Sequence, residues 1–303
     1  MNDIKKYFPL FRLMSVFALC VAILILSFKK DHHQYRLSIL AIFQNEERFL
    51  KEWIDFHRLL GVEHFYLFNH LSTDSYLKVL QPYIQTGLVE LFDWPYESQL
   101  GNEADWVRIQ SAAYRAGFAK ATGQTKWLAM IDTDEFIFPQ YQKNIPEFLN
   151  DYEDCSGILI NWQVFGTSGV KRISEDSLMI EQLILQSPPQ HEVNTYCKSI
   201  VRPEKVKYCN DPHTVIYYPW TYAVDPDKKI FPWKFHASRP VKLDKIRINH
   251  YWSRDEEFFY KDKLARYEKW GNIERREACL KRNDLANQIL NTDIHEWIPA
   301  LRQ

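Results

Sequence analysis

The 303 residues contain no N-x-S/T acceptor and only five cysteines, and they balance 38 Lys and Arg against 39 Asp and Glu for a formal charge of −1. Each scarcity excludes something. Without a whole-molecule field of either sign, nothing in the charge favours nucleic acid or an acidic surface, and no nucleic-acid partner is expected. Cys155 and Cys279 have no near neighbours of their kind. Cys197 and Cys209 could face each other across a hairpin, but their spacing fits no metal-site pattern, so buried free thiols are expected. No internal repeat and no low-complexity tract interrupts the chain.

Long apolar runs are also scarce, with one exception. LMSVFALCVAILILSF, Leu13–Phe28, is free of charge and bounded by Lys5, Lys6 and Arg12 before and by Lys29 and Lys30 after. As a helix it would span about 24 Å at ~1.5 Å per residue, a little short of the ~30 Å hydrocarbon core, and Arg12 can snorkel. No small-x-small site follows the run, and Leu19 before Cys20 is wrong for a lipoprotein cleavage box. The expectation is an uncleaved anchor over residues 1–30, with basic residues on both flanks leaving its orientation open.

What is present is globular material, 46% hydrophobic and 25% charged, long enough for one large core or two modest domains. Aromatic residues make up 15%, a supply that suits sugar or base stacking as well as a core. Leu37–Phe43 reads as a buried strand, and apolar residues from Phe49 to Leu60 fall at helical spacing before Gly61. VEHFYLF is a second strand, SYLKVLQPYIQTG a helix and LVELFDW a third strand. A further amphipathic helix leads to KWLAMIDTDEFIFP, in which Trp127–Ile131 is expected as a central strand. Strand and helix alternate without a hairpin signal, which predicts parallel pairing and an α/β sheet. Beyond Pro139 regularity falls: GILINWQVFGTSG is a strand entering a loop, YCKSIVRPEKVKYC two short strands around Pro203, and Trp220–Pro240 a Pro-rich loop. KIRINHYWS is a last strand, and RDEEFFYKDKLARYEKWG a helix with acids first and bases last, as its dipole prefers.

Asp132 and Asp134 follow the expected central strand, and ligands of open α/β sheets bind at the carboxyl ends of strands. On a strand, residues two apart point to one side. Two converging carboxylates repel one another, and a divalent cation carrying a diphosphate removes that repulsion. Glu135 would point the other way. The pair alone leaves transferase, nuclease and phosphatase open; a phosphoester hydrolase would want further His or Asp ligands near Asp132, and none is near in sequence.

The segment AIFQNEERFLKEWIDFHRLLGVEHFYLFNHLSTD resembles the opening of family 92 glycosyltransferases and the related bacterial family 2 branch. QSAAY, WLAMIDTDEFIFP, NWQVFGTSG, KSIVRP…PH and INHY match later blocks in the same order, so the resemblance covers roughly residues 37–270. It implies a GT-A fold, a nucleotide-sugar donor and Mn²⁺ or Mg²⁺ held by the D-x-D. It places Asn45, Glu46, Asn69 and Asp74 around the nucleotide, Asp132 and Asp134 on metal and diphosphate, and His250 as a late metal ligand. Lys198 and His213 would contact diphosphate or acceptor. Family members commonly carry Asp-Asn-Gly before S-T-D, where this chain has Asn69, His70 and Leu71. Loss of that glycine removes easy access to positive φ and predicts a reshaped turn. Uridine is the expected base.

The resemblance further implies inversion, which needs a general base on the acceptor hydroxyl. Asp211 is the first choice and Glu192 the second, with Trp162, Phe165 and Trp220 as a candidate sugar-stacking wall. The expected function is transfer from a UDP-hexose, UDP-galactose among them, to a glycan or glycolipid hydroxyl. A catalytically decayed, membrane-anchored scaffold is the second reading. The expected halves of the GT-A domain, residues 31–303, are 35–140 for the donor and 141–275 for the acceptor, with 276–303 a helical tail. The missing glycosylation acceptor favours a single-pass protein of a bacterial inner membrane over a Golgi type II enzyme.

Overall fold

A computed structural model describes residues 32–99, 101–209, 211–231, 237 and 240–303. The apolar run Leu13–Phe28, and with it the expected anchor, lies outside the described residues. Among the described residues no helix is long and apolar enough to cross a membrane.

The first part of the chain follows its pattern. Strand β1 (Tyr35–Phe43) leads to helix α1 (Glu47–Leu59), β2 (His64–Asn69), α2 (Tyr76–Gln85), β3 (Val89–Asp93), α3 (Glu103–Ala121) and β4 (Thr125–Met130). β1 pairs in parallel with both β2 and β4, and β2 in parallel with β3. Nearly every residue of β1, β2 and β4 is buried, as continuous apolar runs between two helical layers require. α1 lays Phe49, Leu50, Trp53, Ile54 and Phe56 on one face of the sheet, and Gly61 ends it at φ +91°. α3 lies on the other face. Asn102 caps it by accepting the Asp105 N–H at 3.0 Å. Gly117 lets α3 approach closely, because a Cβ there would sit 2.3 Å from Leu40 Cδ1.

The second part departs more from expectation. β5 (Glu135–Pro139) follows β4 after a turn and does not continue it; it pairs antiparallel with β13 (Ile246–His250). β6 (Gly157–Val164) and β8 (Cys197–Val201) pair antiparallel to each other, and β8 pairs antiparallel with β4. The segment around Pro203 is therefore no hairpin: β8 joins the central sheet, while β9 (Val206–Tyr208) pairs with β10 (Ile216–Tyr217). The Pro-rich stretch expected as loop contains a hairpin, β11 (Ala223–Val224) with β12 (Ile230–Phe231), which extends the sheet beyond β6. β13 pairs in parallel with β6, giving a ten-stranded sheet that is parallel from β4 to the β3 edge and mixed from β8 to β12. β7 (Leu185–Gln186) pairs with β14 (Ile289–Leu290), so the residues read as a tail return to the body; Cys279, Ala286 and Ile294 join its core. Cys155, Cys197, Cys209 and Cys279 are all buried and none is in a disulfide.

Candidate functional site

Asp132 and Asp134 lie in the turn between β4 and β5, not on a strand. Strand alternation therefore does not make them converge, and the turn sends them to different neighbours. Asp132 is surrounded. Lys198 Nζ on β8 donates to its Oδ2 at 2.8 Å, and Gln110 Nε2 and Tyr114 OH on α3 donate to its Oδ1 at 2.9 and 3.1 Å. Gln110 and Tyr114 stand one helical turn apart, so they share a face; the close approach of α3 at Gly117 delivers both. The Asp132 N–H donates to Glu135 Oε2 at 2.9 Å. Glu135 is fully buried, and burial pushes its carboxyl well above the usual range; Lys198 at 3.5 Å opposes that, while Asp132 and Asp134 reinforce it. Burial would strip the Lys198 charge, but Asp132 and Glu135 outweigh burial and raise its pKa.

Asp134 is held differently. Its carbonyl accepts the Tyr251 N–H at 2.9 Å, and its carboxylate oxygens stand 3.4 Å from His250 Nε2 and 3.8 Å from Lys263 Nζ. Burial would raise this carboxyl, yet His250, Lys263 and Arg254 hold it well below the ordinary range. Burial lowers His250 to about 4, so its imidazole is neutral at neutral pH despite Asp134. Burial likewise pushes Lys263 down to about 7, with Asp134 opposing.

These groups open on a cleft of about 270 Å³ that also takes in Glu46, Glu103, Trp106, Trp162, His213 and, from the C-terminal helices, Arg266, Arg275 and Arg282. A second depression, lined by His70, Leu71 and Asn102, shares Gln44, Trp106, Arg266 and Trp270 with it. Lys263 belongs to a π-helical turn, Phe259–Leu264, inside the segment expected as plain helix. Such turns re-aim side chains and recur at functional sites.

The residues singled out by sequence divide into two sets. Glu46, Asp132, Asp134, Lys198, His213 and His250 come together at the carboxyl end of β4. Glu46 is paired with Arg254, and burial raises its pKa against that guanidinium. His213 Nδ1 hydrogen-bonds the Cys197 carbonyl at 2.9 Å, and burial together with Lys198 lowers it to about 4. Asn45, Asn69 and Asp74 are outside the cleft lining and tie loops together. Asn45 Oδ1 accepts the Thr73 N–H at 2.8 Å, Asp74 accepts the Glu47 N–H at 2.7 Å, and Asn69 donates to Tyr76 OH at 2.8 Å. The turn lacking glycine is not remodelled to avoid positive φ, since Leu71 itself adopts φ +53°.

The two candidate bases are also outside the cleft lining. Asp211 Oδ1 accepts the backbone N–H of His213 at 2.7 Å and of Thr214 at 3.3 Å, so it shapes a turn. Glu192 sits in a 3₁₀ turn beside a separate depression with Gln190 and His191. Of the aromatic wall only Trp162 is in place, with its ring 4.3 Å from that of His250. Phe165 is core, and Trp220 is 98% exposed. Gln110 and Tyr114 were missed although QSAAY had matched. Lys263 and Arg266 were missed because basic residues late in a helix look like dipole partners, and Arg282 because it lies in residues 276–303, read only as a helical tail.

Among the described residues no group of three or more His, Cys, Asp and Glu side chains gathers for a metal. Asp132, expected as a ligand, is occupied by Lys198. Asp134 and neutral His250 do fit as two donors for a hard cation that takes its other ligands from phosphate and water.

The chain is 25% identical over 175 residues to a glycosyltransferase family 92 protein of Ricinus communis, covering 56% of this chain and 29% of the relative. One of Arabidopsis thaliana is 23% identical over 188 residues, covering 58% and 30%. The chain thus spans under a third of the length of the curated relatives it matches, at 29% and 30%. Among solved structures, S. aureus TarS 1-349 overlaps with TM-score 0.39 at 13% identity, covering 82% of this chain and 70% of that one. Glucosyl-3-phosphoglycerate synthase from Mycobacterium tuberculosis, crystallised with Mn²⁺, UDP-glucose and phosphoglyceric acid, overlaps with TM-score 0.28 at 16% identity, covering 42% and 44%. Both overlaps are too loose to carry an argument about this chain. The family model for glycosyltransferase family 92, however, matches residues 35–296, and with most of the chain inside that match the protein belongs to glycosyltransferase family 92.

Proposed function

We propose that this chain transfers a sugar from a nucleotide-sugar to a hydroxyl of a glycan or glycolipid, on a GT-A-type sheet and with inversion. The observation that carries the reading is the meeting of Asp134, His250 and several cations at the carboxyl end of β4, within a chain of this family. The nucleoside, uridine by expectation, fits the depression beside His70, Leu71 and Trp106. The diphosphate then reaches Asp134. Asp134 and His250 would hold Mn²⁺ or Mg²⁺, which supplies Lewis acidity towards the departing diphosphate. Asp132, fixed by Lys198, Gln110 and Tyr114, shapes the turn and keeps Lys198 charged beside the phosphates.

In the transfer the acceptor oxygen bonds to the anomeric carbon as the bond to the diphosphate oxygen breaks, and the electron pair leaves with the diphosphate. The acceptor proton goes to His213. Its Nδ1–H donates to the Cys197 carbonyl, which leaves the lone pair on Nε2, and its ring is 5.2 Å from that of Trp162, a platform for the acceptor sugar. The apolar run Leu13–Phe28 is proposed to anchor the chain in a membrane; extraction by alkaline carbonate would remove that proposal.

The test is thermal stabilisation and donor hydrolysis with UDP-, GDP- and CMP-sugars, each with Mn²⁺ and with EDTA. Metal-dependent stabilisation by one donor, lost in Asp134→Ala, is expected. A folded protein that responds to no donor and ignores Mn²⁺ would leave the scaffold reading in its place.

A further inference from the structure

The charged groups lining the cleft can be matched one by one. Glu46 pairs with Arg254, Glu103 with Arg275 at 3.2 Å, and Asp132 with Lys198 at 2.8 Å, while Asp134 faces Lys263 at 3.8 Å. Two guanidinium groups are left over, Arg282 and Arg266. Neither has an ion-pair partner within 4 Å among the described residues. Arg282 is the more telling. Its Nε and Nη2 are buried and have no hydrogen-bond partner among the described residues. It is half-buried on aromatic surface, 4.6 Å from the Trp252 ring and 5.7 Å from the Trp162 ring. Lys263 covers Trp252 as well, at 4.3 Å.

A guanidinium desolvated without an acceptor is costly unless a ligand supplies one. Arginine's planar fork suits the paired oxygens of phosphate, and stacking on two indoles fixes its plane. Helix α4 (Ile273–Leu285) brings Arg282 in, and β14 pinned to β7 holds the chain just beyond it. We propose that Arg282 and Arg266 form the anion site of this cleft and bind the diphosphate of the donor directly, with Trp252 and Trp162 presenting Arg282. The inference rests on the transferase reading only in naming the anion as the donor's diphosphate. It assigns the C-terminal segment, residues 273–303, to the donor site.

The full chain is tested by calorimetry with inorganic pyrophosphate, with UDP and with uridine. Arg282→Gln and Arg266→Gln are each expected to weaken pyrophosphate and UDP by about 10- to 100-fold, the range for a hydrogen bond to a charged group, and to leave uridine unchanged. Arg282→Lys should recover part of the loss. Should Arg282→Gln fail to fold, the unaltered protein decides. Pyrophosphate is expected to protect Arg282 from a guanidinium-selective dicarbonyl reagent, read by peptide mass. Equal modification with and without pyrophosphate overturns the inference, as does a folded Arg282→Gln that binds pyrophosphate like the parent. If no nucleotide-sugar stabilises the protein while pyrophosphate still protects Arg282, the transferase reading falls and the anion site stands. If a donor binds and Arg282→Gln leaves pyrophosphate affinity intact, the inference falls alone.

Discussion

Asp132 and Asp134 are two residues apart, yet the regions around them solve opposite problems. Around Asp132 the molecule is closed: two α3 side chains, a β8 lysine and the Glu135 carboxyl satisfy the turn from three elements. Around Asp134 the contacts are longer: His250 stands at 3.4 Å and Lys263 at 3.8 Å, and Arg282 of the same cleft has no acceptor for its buried Nε and Nη2 among the described residues. A closed network rigidifies, and an open one waits for a ligand to complete it. On the proposed transferase reading, the difference separates an aspartate that shapes the site from one that meets the metal and diphosphate.

The comparison is broken most directly by removing each acid. Asp134→Ala is expected to lower transfer by at least ~10²-fold, the scale of losing one electrostatic stabiliser at a reacting centre, while the melting temperature stays near that of the parent. Lys198→Met should act the other way. It leaves Asp132 and Glu135 without their buried cation and is expected to cost about 3–5 kcal/mol in denaturant unfolding. If Lys198→Met is as stable as the parent, the closed network is not a structural support.

pH sharpens the contrast between buried groups. His57 donates to the Trp53 carbonyl, accepts the Ile137 N–H at 3.2 Å, and is lowered by burial to about 3. A depressed histidine contributes stability that is present above its unfolded pKa of ~6.5 and lost as pH falls towards the folded value. Glu52 is the reverse. Burial raises it to about 7 although it accepts the N–H groups of Met179 and Ile180. Its contribution is full below ~4.5 and lost as pH rises through about 7. Melting temperature followed from pH 4 to pH 7 should therefore rise less steeply in a folded His57→Gln and more steeply in Glu52→Gln; parallel curves for both would refute the assignment.

The smallest effect belongs to the turn at Leu71. A left-handed leucine costs roughly 1–2 kcal/mol, and Gly gives back part of that through unfolded-state entropy. At 38% exposure Leu71 loses little burial, so Leu71→Gly is expected to stabilise by about 0.5 kcal/mol. A destabilised variant would mean that the Leu71 side chain has a packing role.

Much of the frame was legible. Apolar runs of strand length at β1, β2 and β4 and helical spacing in α1 need only local periodicity and burial on both faces of a sheet. The acidic turn was legible as a site because charge beside such a strand has to be answered by something. What answers it was not legible. Lys198 is 66 residues from Asp132 in sequence, so the expectation of a divalent cation carrying a diphosphate did not include the lysine that the fold sets against Asp132. Asn45, Asn69 and Asp74 were expected at the nucleotide from the family resemblance, and Asp211 as a base from its place beside His213; in the structure all four accept backbone N–H groups of neighbouring turns.

The sequence alone determined the parallel α/β frame, the place of the acidic turn at the carboxyl end of β4, and the family pattern running through it. These are written in contiguous residues, where side-chain periodicity and turn chemistry act over a few positions. Only the tertiary structure decided that Asp132 is held at close range by Lys198 while Asp134 meets His250 and Lys263 at longer range, and that Arg282 from the C-terminal helix lines the same cleft. Those outcomes depend on which distant charges share a desolvated volume, and chain order does not encode that distance.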